Sequence, residues 1–222
     1  LNYVDLDVIG MVQNQNGEVM TSFRGPSRIK LASQQLVYAN KIRLDSRFDL
    51  APGLYSVSIS VGNPVRRRIG FHQRGLHLPK VYPRLALSSL FLGRTDEMIP
   101  VRENDDFTVR DIHIFPSAAR KFTAEEQLVY LFDIYRPKQE DGFSENCELR
   151  LRTELYHRGK LVTALPPEPL DFPGGEEAMP RLKLARYLKL AGLVPGRYLL
   201  KAHVEDPLHN LIRTIQTSFD VE

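Results

Sequence analysis

Six histidines, one cysteine and 27 acidic residues are the material for chemistry in this 222-residue chain. Their spacing decides how little of it can be assembled locally. His72 and His77, in HQRGLH, are the nearest thing to a metal pair. Five residues apart on an alternating strand, however, they face opposite sides, and no third ligand follows at a spacing that zinc could use. His203, between Lys201 and Glu205 on the outward face of its strand, and His209, in the turn after it, read as solvated side chains. Asp105, Asp106, Asp133, Glu140 and Asp141 supply carboxylates, yet none fits the Asp-x-Asp-x-Asp-Gly calcium loop. That leaves only a calcium site gathered from separate loops. Cys147 is the single cysteine, which excludes an intramolecular disulfide and a cysteine zinc cluster. It opens an alternating strand with Leu149, Leu151 and Leu155 inward, as a packed thiol would. No G-x-S-x-G elbow, S-x-x-K pair or Cys-His pairing occurs, and Gly174-Gly175 lacks the spacing of either nucleotide loop. The residues point to a non-catalytic module without metal or cofactor.

Charge narrows the partner class. Lysine and arginine number 30 against 27 acids, a net +3, far below the density of a phosphate-tracking groove, so no nucleic-acid partner is expected. Arg66, Arg67 and Arg68 form the sharpest run and read as a solvated hairpin tip. Thr123 to Glu126 matches a capping box, read here as a bent turn before a central strand. No stretch of about 18 apolar residues could cross a membrane as a helix. The chain starts at Leu1 rather than Met and shows no leader, and the expectation is a piece excised from a longer protein.

These side chains must be positioned by strands, because most segments alternate apolar and polar residues. Val4, Leu6, Val8 and Val12 share a face, Asn16-Gly17 makes a tight turn into 18–24, ASQQLVYA at 32–39 reads as a short helical turn, and 43–50 resumes as strand. LAPGLYSVSISV at 50–61 puts a Pro-Gly pivot ahead of Tyr55 and a one-side-buried strand, and LVPGRYLLKAHV at 193–204 repeats it around Tyr198. Shifting by 143 residues overlays Pro52 on Pro195, Gly53 on Gly196 and Tyr55 on Tyr198. Upstream, NGEVMTSF at 16–23 parallels RGKLVTAL at 158–165. Such a Tyr at the start of a strand resembles the tyrosine corner of immunoglobulin-like sandwiches, whose hydroxyl bonds nearby backbone. The repeat predicts two domains, 1–82 and 83–222, with the linker at His77–Pro83. In the second, strands are expected at 84–92, 107–115 with a bulge before Ile112, 127–135 as the central one, 147–156, 160–165, 182–190, 197–205 and 211–221.

DLDVIGMV at 5–12, FDLAPGLY at 48–55 and IGF at 69–71 resemble the region following the A-type domain in secreted bacterial von Willebrand factor A-related proteins. The A-type signature Asp-x-Ser-x-Ser is absent, so its metal-dependent adhesion does not carry over, and the lack of any Trp rules against an antibody-type domain. The resemblance implies tandem immunoglobulin- or fibronectin-III-like β-sandwiches in an extracytoplasmic or secreted protein. The expected function is that of a binding or spacer module for a protein or surface ligand. The alternatives are a carbohydrate-binding sandwich, with Tyr135, Phe143, Tyr156 and Phe172 near the long loops as aromatic contacts, and an accessory region of an enzyme.

Overall fold

In the computed structural model of the chain, residues 2–25, 28–31, 46–80, 85–95, 107–110, 112–136, 148–171 and 181–222 are described. Among them every regular element is a strand. The chain divides into two compact units, Leu1–Val81 and Tyr82–Glu222.

The first unit contains β1 (Asn2–Asp5), β2 (Asp7–Asn14), β3 (Val19–Arg24), β4 (Arg28–Leu31), β5 (Gly53–Asn63) and β6 (Arg68–Leu78). β1 pairs with β4, and the others form a sheet in the order β3-β2-β5-β6. The single strand read through Val4 and Val12 is therefore two. The chain leaves one sheet at Leu6 and enters the other, where Val8 and Val12 are buried. Gly17, with φ 81°, turns β2 into β3, and the Asn14 Oδ1 accepts hydrogen bonds from the Asn16 and Glu18 N–H groups at 2.9 and 3.0 Å. Residues 46–50 are not the strand expected there. Phe48 instead lays its ring over Phe23, centroids 6.1 Å apart. The helical turn expected at 32–39 lies outside the described residues. β6 runs on to Leu78, opposite Gly53, so His77 and Leu78 belong to the sheet and not to the linker.

The second unit contains β7 (Ala86–Leu87), β8 (Phe91–Thr95), β9 (Thr108–Val109), β10 (Ile112–Pro116), β11 (Lys121–Phe122), β12 (Gln127–Tyr135), β13 (Leu149–His157), β14 (Lys160–Ala164), β15 (Glu168–Leu170), β16 (Arg181–Lys189), β17 (Gly196–Asp206) and β18 (Leu211–Val221). One sheet runs β16-β12-β8-β10-β9 with β7 also on β12, and the other β11-β18-β17-β13-β14 with β15 also on β13. Their facing sides share one core in which Leu128, Tyr130, Phe132 and Ile134 meet Leu151, Leu155, Leu200 and Val204. Buried Tyr130 ties the layers together, its hydroxyl 2.7 Å from Thr153 Oγ1. Loss of water from that site pushes the Tyr130 phenol up to about 12. The other side of β12 is covered too, since Val129 and Leu131 pack with Ile114 and Ala185. That explains a run with almost no polar residue.

Two expected strands are broken. The first stops after Leu87, where the Ser88 hydroxyl accepts the Asp133 N–H at 2.8 Å in place of a backbone carbonyl, and resumes at Phe91. The second, 107–115, reverses on itself: Arg110 has φ 53°, and Ile112 pairs back onto Val109. The phase change read as a bulge is a hairpin. Thr123 and Glu126 form the expected bent turn, with the Glu126 carboxylate accepting the Thr123 N–H at 2.7 Å.

The sequence repeat is a repeat of strand pairing. β2 pairs β5 from Asp7↔Gly62 to Asn14↔Tyr55. The 143-residue shift turns these pairs into Arg150↔Glu205 and His157↔Tyr198, the observed register of β13 on β17. The same shift carries β5 on β6 (Gly53↔Leu78, Asn63↔Arg68) onto β17 on β18 (Gly196↔Val221, Asp206↔Leu211). Each copy also has a register irregularity on its turn side, at Val12/Gln13 and at Leu155/Tyr156. The copies differ by one residue only in the β2–β3 and β13–β14 turns.

At both corners the tyrosine hydroxyl donates to the carbonyl four residues back, Tyr55 to Ala51 at 2.7 Å and Tyr198 to Val194 at 2.8 Å. Tyr198 is the more enclosed, stacked between His157 and Phe219. Replacing either by Phe leaves the ring and removes the bond, so both variants should lose stability, by about 1 kcal/mol at Tyr198 and less at Tyr55. Urea midpoints unchanged from wild type in both would contradict a stabilising role for these bonds.

Candidate functional site

The outward face of the β18-β17-β13-β14 sheet gathers a network of interacting ionisable side chains. Alternation puts Leu149, Leu151 and Leu155 of β13 inward, and so Arg152, Glu154 and Tyr156 outward. On β17 the same rule turns Lys201, His203 and Glu205 outward. The register then sets Arg152 opposite His203, Glu154 opposite Lys201 and Tyr156 opposite Leu199, and β18 adds Thr214 opposite His203.

Glu154 sits at the centre. It accepts the Tyr156 hydroxyl at 2.8 Å, lies 3.1 Å from His203 Nε2 and pairs with the Arg152 guanidinium. Arg152 also reaches Glu205 at 3.1 Å, and His203 Nδ1 lies 2.7 Å from Thr214 Oγ1. The bond from Tyr156 holds the Glu154 carboxyl below the ordinary carboxylate range, with His203 and Arg152 acting the same way against the opposing cost of burial. The same bond raises the Tyr156 phenol. His203 is therefore not the solvated residue expected, its side chain being only 12% exposed. Nor is His209 simply solvated, because its Nδ1 lies 2.9 Å from the buried Asp206 carboxylate and fixes the β17–β18 turn.

Beside this network an open groove of about 510 Å³ is lined by Tyr156, His157, Arg158, Gly196, Arg197 and Lys201, among others. Its floor is set by the corner: a Cβ at Gly196, which has φ 147°, would meet the His157 ring at 2.6 Å. That ring is held by Nδ1 lying 3.0 Å from the Arg197 carbonyl oxygen. The two-residue turn Arg158-Gly159, with φ 48° and 76°, has the left-handed geometry that suits a tight hairpin and projects Arg158 at the rim. Among the described residues no carboxylate lines the groove. The Lys201 ammonium lies 4.7 Å from the Tyr156 ring centroid, a cation–π contact.

Of the aromatic residues expected to meet a sugar, Tyr156 is thus committed to Glu154 and Lys201. Tyr135 stands on the other sheet with the Arg181 guanidinium 5.9 Å from its ring. Phe143 and Phe172 lie outside the described residues, as do Cys147, Asp105, Asp106, Glu140 and Asp141. His72 and His77 are exposed on β6. Among the described residues no three His, Cys, Asp or Glu side chains gather as a metal site, and no helix is long and apolar enough to cross a membrane. No protein-family model matches the chain, and no curated protein matches its sequence.

Because Glu154 titrates below its ordinary value near 4.5, its contribution to stability is complete above that value and is lost as pH falls through the lowered folded one. Between pH 5 and pH 2 the wild-type urea midpoint should therefore fall more steeply than that of Glu154→Gln. Parallel curves would mean that the network adds nothing at Glu154.

Proposed function

We propose that the chain is a non-catalytic binding module of an extracytoplasmic protein, built of tandem immunoglobulin- or fibronectin-III-like sandwiches, and that its second unit takes an anionic group of a protein or surface ligand. The groove carries this reading. Arg158, Arg197 and Lys201 converge on it with no carboxylate ion-paired to them among the described residues, while the neighbouring Arg152 is neutralised by Glu154 and Glu205. Arg158 and Arg197, and Lys201 held against the Tyr156 ring, leave positive charge without an ion pair at a concave site, which is poised to bind an anion. The resemblance to von Willebrand factor A-related proteins supports export and a role in contact rather than catalysis. The carbohydrate reading is favoured less, because both described tyrosines of its aromatic set already carry a cation against the ring.

Calorimetric titration of the whole chain with hexaglutamate, oligogalacturonate and a neutral cellooligosaccharide separates these readings. The acidic probes should bind, more weakly as salt rises, and Arg197→Glu with Lys201→Glu should weaken them at least tenfold while leaving the fold intact by circular dichroism. Heat from the neutral glycan alone would favour the carbohydrate-binding alternative. No heat from any probe would leave a spacer.

A further inference from the structure

β6 is the exposed edge of the first unit's larger sheet. Among the described residues it pairs only with β5, over eleven residues from Arg68 to Leu78. Its counterpart in the repeat, β18, is covered at one end. There β11 runs parallel to it, and the Asp220 and Glu222 N–H groups donate to the Arg120 and Phe122 carbonyls at 2.8 and 2.9 Å. A long strand with a free row of backbone donors and acceptors is a template for another strand.

The edge also carries a strong charge bias. Residues 64–80 hold Arg66, Arg67, Arg68, Arg74 and Lys80 without one acid, and none of the five is ion-paired to a described residue. Arg68 and Arg74 share one face of β6. The other face presents Ile69 and Phe71, exposed to 80% and 66%. A second copy of this chain would bring the same cations against them, and like charges facing each other across strands repel.

We infer that β6 is a docking edge for an acidic, extended segment of a partner protein, which adds to the sheet as a fifth strand. Backbone bonds to β6 supply affinity, carboxylates on one face meet Arg68 and Arg74, and apolar side chains on the other cover Ile69 and Phe71.

The test uses the full chain carrying Arg197→Glu and Lys201→Glu, so that the second unit's groove contributes nothing and its failure is separable. The probe is a labelled twelve-residue peptide of alternating Glu and Val, compared with alternating Lys and Val, with polyglutamate, and with the Glu-Val peptide N-methylated along one edge. Binding is read by anisotropy, and pairing by amide hydrogen exchange. The Glu-Val peptide should bind at least tenfold more tightly than the other three and slow exchange within residues 68–78. Arg68→Glu with Arg74→Glu should cost at least tenfold. Equal binding of polyglutamate or of the N-methylated peptide would overturn strand addition in favour of bare charge attraction. Concentration-dependent dimers that protect β6 would replace the partner with a second copy. Protection in the free chain of those β6 amides that do not bond β5, together with no peptide binding, would mean the edge is covered by the chain itself.

Discussion

The pairing of β13 with β17 is the constraint on which the second unit depends. These strands lie far apart in sequence, so the contact closes a long loop before it gains anything. It is held by what the pleat puts on its inner side, where Leu151, Leu155, Leu200 and Val204 enter the core. Because side chains alternate strictly, the same register that buries those residues places Glu154 beside Lys201 and Arg152 beside His203. A slip of one residue would turn the aliphatic set to water and the charged set into the core. The core therefore fixes the charged face. The corner stiffens the end of this pairing, since Gly196 has no Cβ to obstruct His157 and Tyr198 lies between His157 and Phe219.

The first unit uses the same pairing frame with other chemistry. Where Thr153 bonds Tyr130 across the layers, the equivalent Gly10 lies beneath the Phe23 ring, which a Cβ would meet at 1.9 Å. The outward positions diverge further. Met11, Ser58 and Ser60 stand where the second unit has Glu154, Lys201 and His203. The frame is maintained by inward residues and the Pro-Gly-x-Tyr corner, which leaves the outward residues free to differ. Differences concentrated on the outward face of a common register are what a scaffold permits when its two copies meet different surroundings.

Much of this was legible in the sequence because the period of two is a direct imprint of one buried face. β12, β17 and β18 lie within a residue of where alternation places them, and the repeat around Tyr55 and Tyr198 is visible by eye. The breaks were not legible. At Ser88 a side-chain hydroxyl replaces a backbone acceptor, and at Arg110 an arginine takes a positive φ. Neither residue type announces a break, as Gly17 does for its turn. The charged network was hidden for a different reason. The outward positions of Glu154 and His203 follow from alternation, but their contact needs the cross-strand register, which is a tertiary quantity.

Register also explains why the net charge of +3 says little about either surface. On the β13–β17 face, strands of mixed sign face each other, and Arg152 finds two carboxylates within reach. Such pairs largely cancel at a distance, and where exposed they contribute little to stability. β6 has no such neighbour. On the face that carries Arg68 and Arg74, β5 sets Asn63 and Val57 opposite them, so nothing across the strand offsets either cation. Cations pointing from an edge discourage indiscriminate strand pairing, and the same feature makes the edge selective, because an acidic strand relieves the repulsion that a neutral or basic one leaves in place. Protection against aggregation and a preference for one class of partner thus follow from a single arrangement of charge.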